Sequence, residues 1–454
     1  MDHTTTIRTE LKDFIGRERL SFSQLGQKAG LNAGTVSSIL KGSRVMSVDQ
    51  LDRMTAVLGY PEGFFYDEYL RECMVDTVPN WRRVKPFVLR CAELDKLDCI
   101  RRMVQMLLDN LMYSPLLFEV AEVFFSEGKK EAAEVLYTGV AASERRQHSE
   151  RLAFCQYRLF SLRLGQDPSA NLQAALQFEP YVDRLDEVDQ LDALKDLANT
   201  YHLLRRWDKV DRIAEELAYK AKIQLLLTNQ TGRKRQEPRK QPEYPLFSYL
   251  AISNLLRANV CDERGDHGVA LQWVDISTEL SLAEEDHQET AYWVGLFMDW
   301  AQSSTYVTKL MSGDDSVLWD YVAHIEARIE NLPIGLLHII RAANQYGMNV
   351  DSILQYFEKD LADLSDNLVT GVKYTEQLIN DRCANMMYEM ARYHFSRQRH
   401  VQGLVCLTNA LTKYASLNDN ACMLRCVRLF EQYRDYATPE AVQEYRSIMD
   451  LMPV

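Results

Sequence analysis

Residues 21–42 read SFSQLGQKAGLNAGTVSSILKG, and this stretch predicts a helix, a tight turn and a second helix. Ser21 and Ser23 can each cap a helix N-terminus through a side-chain oxygen. Leu25 and Ala29 fall on one helical face. Gly30 ends the first helix, because glycine accepts the left-handed conformation that a C-terminal stop needs. Leu31 plugs the core at the turn, Asn32 caps the second helix, and Val36, Ile39 and Leu40 form its buried side. Gly42 stops it. Ala33, Gly34, Thr35, Ser37, Ser38 and Lys41 are left facing outward. That face is small and polar, as a helix seated against base pairs in a major groove requires.

The order of these residues resembles the Xre and phage-repressor class of helix-turn-helix domains, over roughly residues 5–66. A first helix with Leu11, Phe14 and Ile15 inward precedes the pair. A fourth helix, SVDQLDRMTAVLGY, follows with Ser47 as its cap and Leu58-Gly59 at its end. We assign 1–68 to this head. Thr35, Ser37 and Ser38 are expected to reach base edges, with Ala33 and Gly34 against them. Lys28, Lys41 and Arg44 are expected to meet phosphates. The whole chain of 454 residues carries a net charge of −13, but positions 8–44 hold seven basic and three acidic residues, net +4. One such head binds weakly and with strong salt dependence, which argues for a homodimer reading two half-sites.

A chain of this length suggests two or more units or a solenoid. No apolar run approaches the ~20 residues of a membrane span, and the N-terminus has no apolar leader. The nine cysteines are scattered, with no CxxC pair. Cys422 and Cys426 lie one helical turn apart, with no histidine near them to complete a zinc site. Buried thiols in a reducing cytosol are the expectation, with no metal and no cofactor.

Beyond residue 70, helical periodicity dominates and the sequence repeats itself. Compare AEVFFSEGKKEAAEVLYTGVAAS (121–143), ANTYHLLRRWDKVDRIAEELAYKA (198–221), ANVCDERGDHGVALQWVDISTEL (258–280) and ARYHFSRQRHVQGLVCLTNALTKYA (391–415). Each opens on alanine. Phe124, Tyr201, Cys261 or His394 follows three positions on, and a turn comes at Gly128, Arg205, Gly265 or Gln398. Five residues later stands Ala133, Val210, Ala270 or Gly403. A weaker copy spans 151–184, with its turn at Gly165. Segments 290–327 and 333–364 read as further helix pairs. Residues 418–454 read as a capping pair whose stripe of Leu424, Val427, Phe430 and Tyr433 is a candidate dimer contact. The stretch 228–246, TNQTGRKRQEPRKQPEYPL, is poor in apolar residues and rich in Arg and Lys, and predicts a mobile loop.

The pattern resembles the tetratricopeptide repeat. The fold expected is therefore all-α: the helix-turn-helix head, then a right-handed solenoid over 69–417, then the cap. In such repeats the stacked first helices line a concave groove, and the residue after each opening alanine points into it. Here those residues are Glu122, Asn199, Asn259 and Arg392. An asparagine amide offers a donor and an acceptor, so Asn199 and Asn259 can hold the backbone of an extended peptide. His202, Asn254, Asp262 and Asn385 are nearby candidates.

No Walker loop, GxSxG or HExxH motif is present, so the reading is of a protein that is not an enzyme. A helix-turn-helix head joined to tetratricopeptide-like repeats resembles the peptide-pheromone receptors grouped as the RRNPP family, and the related arbitrium receptors. That resemblance implies a cytoplasmic, dimeric, quorum-sensing type of transcriptional regulator that binds double-stranded DNA and a short signalling peptide. The alternatives are a regulator whose solenoid binds a protein partner and, from another class, a phosphatase or other enzyme.

Overall fold

A computed structural model describes residues 6–75, 80–145, 149–231, 240–279, 288–328, 332–361, 373–417 and 419–450. Among them the chain is all-helical, without a strand. It divides into two compact units, Met1–Leu162 and Arg163–Val454.

The first unit opens with α1 (Ile7–Glu18), α2 (Phe22–Ala29), α3 (Ala33–Leu40) and α4 (Val48–Val57). Each start is capped by a side chain. Ser21, not Ser23, caps α2, in a reciprocal pair with Gln24. Asn32 accepts from the Thr35 N–H at 2.7 Å, and Ser47 repeats the reciprocal arrangement with Gln50. Each such cap contributes about 0.5–2 kcal/mol. Gly30 ends α2 with φ 65°.

Next come α5 (Tyr66–Tyr69), running into π-type turns over Leu70–Val75, then α6 (Trp81–Glu93), α7 (Leu97–Leu107), α8 (Ser114–Ser126) and α9 (Lys130–Ser143). The sequence reading places a boundary at 68. The compact unit instead continues to 162, because side chains tie the helices together across that point. Arg90 pairs with Asp52 and Glu62. The Tyr66 and Tyr69 rings pack on Phe87, and the Tyr69 hydroxyl donates to the Met46 carbonyl at 2.7 Å. Helix α10 (Glu150–Arg163) ends at the division between units.

The second unit comprises α11 (Pro168–Phe178), α12 (Glu187–Leu203), α13 (Trp207–Thr231), α14 (Leu246–Arg264), α15 (His267–Glu279), α16 (Gln288–Met311), α17 (Leu318–Glu326), α18 (Leu332–Tyr346), α19 (Asp351–Tyr356), α20 (Lys373–Ser396), α21 (His400–Ser416), α22 (Asn420–Gln432) and α23 (Pro439–Asp450). The four aligned segments, the first of them in the first unit, share two local features. Ala121, Ala198, Ala258 and Ala391 are fully buried. Gly128, Arg205, Gly265 and Gln398 all take positive φ, from 54° to 85°. Gly403 packs so closely that a Cβ there would lie 2.5 Å from the Phe395 ring, the contact a small residue permits. Gly165 departs from this pattern. Its turn is held by Asn171, whose amide bonds both the N–H and the C=O of Gly165.

Two further expectations change. Of the predicted loop 228–246, residues 232–239 lie outside the described residues, and with them Arg233, Lys234, Arg235 and Arg239. The remainder is anchored. Helix α13 continues to Thr231, Lys240 pairs with Asp189, and Glu243 takes Lys195 at 2.7 Å. The backbone N–H of Glu243 donates to Asp192. Asp189, Asp192 and Lys195 on α12 fasten a segment whose composition alone reads as free. The stripe on α22 is also largely spent within the chain. Phe430 stacks on Tyr445 at 4.0 Å and Tyr433 on Phe395 at 3.9 Å. Leu424 stays 69% exposed.

Candidate functional site

In the first unit, the cap at Asn32 sets the phase of α3. Residues 35, 36, 39 and 40 then turn inward. Thr35 is consequently only 9% exposed, which corrects the expectation that it faces outward to a base. Ala33, Gly34 and Lys41 are exposed, Ser37 and Ser38 half-buried at the edge of the same face, and Lys28 and Arg44 exposed. Lys28, Lys41 and Arg44 have no ion-pair partner among the described residues. Arg8 is another cation here that the sequence reading leaves out. Its guanidinium approaches Gly42, and a Cβ at Gly42 would lie 2.8 Å from it.

Of the eight peptide-site candidates, Glu122 lies in the first unit and the other seven in the second. Glu122 is already engaged: Arg158 donates to both its oxygens, at 2.8 and 3.1 Å, and the Tyr137 hydroxyl donates to it as well. Arg158 in turn lies over the rings of Phe125 and Phe154. Asp262 accepts from His267 Nδ1 at 2.9 Å and from the Thr308 hydroxyl at 2.6 Å. Arg392 is paired with Glu389 on its own helix. All three side chains are thus already engaged within the chain.

The asparagines and His202 differ. Asn199 is half-buried on α12 and spends its amide on no other group among the described residues. Asn259, at the equivalent place on α14, donates from Nδ2 to His202 Nε2 at a long 3.4 Å. Asn254 is 6% exposed, also with no side-chain partner among the described residues. Asn385 on α20 accepts from Arg205 at 2.5 Å and donates to the Asp381 carbonyl at 2.7 Å. Four amides thus belong to one unit, and at least two have unused hydrogen-bonding capacity in half-buried or buried positions. That capacity is open to a ligand.

Burial, together with the charges of Arg382 and Arg205, pushes the His202 imidazole down to about 4. Burial with Arg341 and Arg382 pushes His338 down to about 3. His338 Nδ1 lies 3.4 Å from the Tyr321 hydroxyl. Both imidazoles are neutral at pH 7, so His202 can accept from Asn259. The unfolded chain takes up these protons near pH 6.5 while the folded chain refuses them. Stability is therefore expected to fall as pH drops below 6.5 towards 4, by up to about 1.4 kcal/mol per pH unit for each histidine. Urea midpoints across this range should show a shallower dependence for His338→Gln than for the parent chain.

Sequence reasoning missed the arginines around this region. Arg205 reads as a turn residue. One signal was available: it occupies a left-handed position, φ 54°, where two other copies carry glycine, and a bulky side chain there costs about 1–2 kcal/mol. Arg205 lines a cavity of about 420 Å³. The cavity lies between the end of α12, the start of α20 and the approach to α22, and is walled by Leu172, Leu203, Leu204 and Leu417.

No protein-family model matches this chain, and no curated protein is similar to it. Among the described residues, no helix is long and apolar enough to cross a membrane. No group of three or more His, Cys, Asp or Glu side chains there is placed to hold a metal ion.

Proposed function

We propose that the chain is a transcriptional regulator whose α2–α3 pair is a helix-turn-helix and whose later helix pairs are tetratricopeptide-like repeats binding a short signalling peptide. The observation that carries this reading is the repetition of Asn199 and Asn259 after aligned, fully buried alanines, with amide capacity left for a backbone. A peptide backbone is the ligand that presents alternating donors and acceptors to such a row. At the other end of the chain, the exposed Ala33, Gly34 and Lys41 and the half-buried Ser37 and Ser38 make a face that fits a major groove. Lys28, Lys41 and Arg44 flank it for phosphate. In this reading the protein is a cytoplasmic homodimer without cofactor or catalytic function.

Selection of random DNA duplexes by the full-length chain tests the DNA half. An inverted repeat is expected, with half-sites about 10 bp apart, centre to centre, or a multiple of that. Lys41→Ala should weaken binding to all duplexes alike and reduce the log–log salt slope by about 1. Ser37→Ala should change the ranking among half-sites. Recovery of no enriched sequence, with the chain folded, overturns the assignment.

A further inference from the structure

The 420 Å³ cavity of the second unit collects three arginines that form no ion pair among the described residues. Arg205 and Arg206 enter it from the turn after α12, and Arg425 from α22. The Arg205 guanidinium donates to the neutral Asn385 amide. Arg425 donates to Cys422 Sγ at 2.7 Å and lies over the Tyr388 ring. Neither these two nor Arg206 has a carboxylate within 4 Å among the described residues. Elsewhere in the same unit Arg257, Arg264, Arg328 and Arg399 each rest on one. Asp381 and Asp419 also line the cavity and are likewise without an ion pair among the described residues. Burial holds the Asp381 carboxyl above the usual carboxylate range.

We propose that this cavity receives the C-terminal residue of the peptide, with its α-carboxylate on Arg205 and Arg425 and its side chain against Leu203, Leu204 and Leu417. The inference rests on the peptide reading above and adds the chemistry of one end of the ligand. Guanidinium groups recognise a carboxylate through paired, charge-assisted hydrogen bonds. Asp381 and Asp419 would repel a dianion such as a phosphate monoester but tolerate a single carboxylate facing three arginines. The volume lies at the small end of ligand pockets, which suits a chain terminus rather than a chain running through. Arg205 also donates to Asn385, so a terminus held here lies one hydrogen bond away from that amide. Arg205 and Arg425 stand 220 positions apart in sequence. A ligand held by both therefore bridges the early and late helix pairs of this unit.

The test uses the full-length chain and a library of synthetic hexapeptides, made once as free acids and once as C-terminal amides, screened by thermal shift and measured by calorimetry. Free acids should bind about 5- to 150-fold more tightly than the matching amides, the range for losing a charged partner. Arg205→Gln and Arg425→Gln should each bring acid and amide towards parity, because the acid loses more affinity than the amide. Should Arg205→Gln fail to fold, the exposed Arg425 carries the test alone. Equal binding of acids and amides by the parent chain overturns this proposal and leaves the peptide reading standing. Amide binders that all require an internal Asp or Glu also overturn it. Binding by no member of either set overturns both.

Discussion

Gly26→Ala will reduce DNA affinity about 5- to 150-fold, while Gly16→Ala will leave it unchanged. Gly26 is buried where α2 meets the chain leaving the turn. An added Cβ there would lie 2.4 Å from the Leu31 carbonyl oxygen and 3.4 Å from the Asn32 carbonyl carbon. The obstructing atoms are backbone, so no rotamer change relieves the clash. The Leu31 N–H also donates to the Gly26 carbonyl at 2.7 Å, which fixes the same approach from the other side. Residue 31 must move, and the cap at Asn32 and the direction of α3 move with it. Overpacking of this kind costs about 1–3 kcal/mol. Each 1.4 kcal/mol lost from the binding-competent state is a factor of ten in affinity. Gly16 is the matched control: it is exposed in α1 with nothing within 4 Å of an added Cβ, and alanine is the better helix former there. Fluorescence anisotropy with a selected duplex measures both variants. Parent-like binding by Gly26→Ala would show that α3 is not the reading helix.

Asn199→Ala and Asn259→Ala will each weaken peptide binding about 5- to 150-fold, with the fold intact. Removing one partner of a buried peptide hydrogen bond costs about 1–3 kcal/mol. Neither amide supports the helix packing strongly. Asn199 has no internal partner among the described residues, and Asn259 has only the 3.4 Å contact to His202. The unfolding midpoint should therefore move little, whereas calorimetry should register the full loss. By contrast, Asp262→Asn or Glu122→Gln should lower stability before it alters affinity, because those carboxylates hold His267 and Thr308 in one case and Arg158 and Tyr137 in the other. The double asparagine variant should fall short of the summed losses if both amides grip one backbone. Unchanged peptide affinity in both single variants would move the site away from this row.

The periodic features were legible in the sequence because each follows from local chemistry. Caps at Ser21, Asn32 and Ser47 and the left-handed turn at Gly30 depend on residues at most a few positions apart. The repeat alignment located four left-handed turns, two of them without glycine, because buried alanines and small residues keep a fixed offset within each helix pair. What sequence could not supply was pairing across distance. Glu122 and Asn199 look alike by position, yet Arg158 occupies the first and nothing described occupies the second. Thr35 reads as polar and outward until the helix phase turns it in. Asp189 and Lys195 of α12, which fasten Lys240 and Glu243, lie about 50 residues away from them in sequence. Arg205 and Arg425 come to one cavity only through the packing of the early helix pairs on the late ones.

Coupling between the two units is the most direct test of the account. The affinity of the full-length chain for its selected duplex is measured by anisotropy, with and without a saturating concentration of the tightest-binding synthetic hexapeptide. A regulator of the kind proposed must show a change, and binding coupling is reciprocal, so the duplex must alter peptide affinity by the same factor. The predicted result is a shift of about 5- to 150-fold in either direction, abolished when both Asn199→Ala and Asn259→Ala are present. A chain that binds the peptide and the duplex, each with an affinity indifferent to the other, would contradict it.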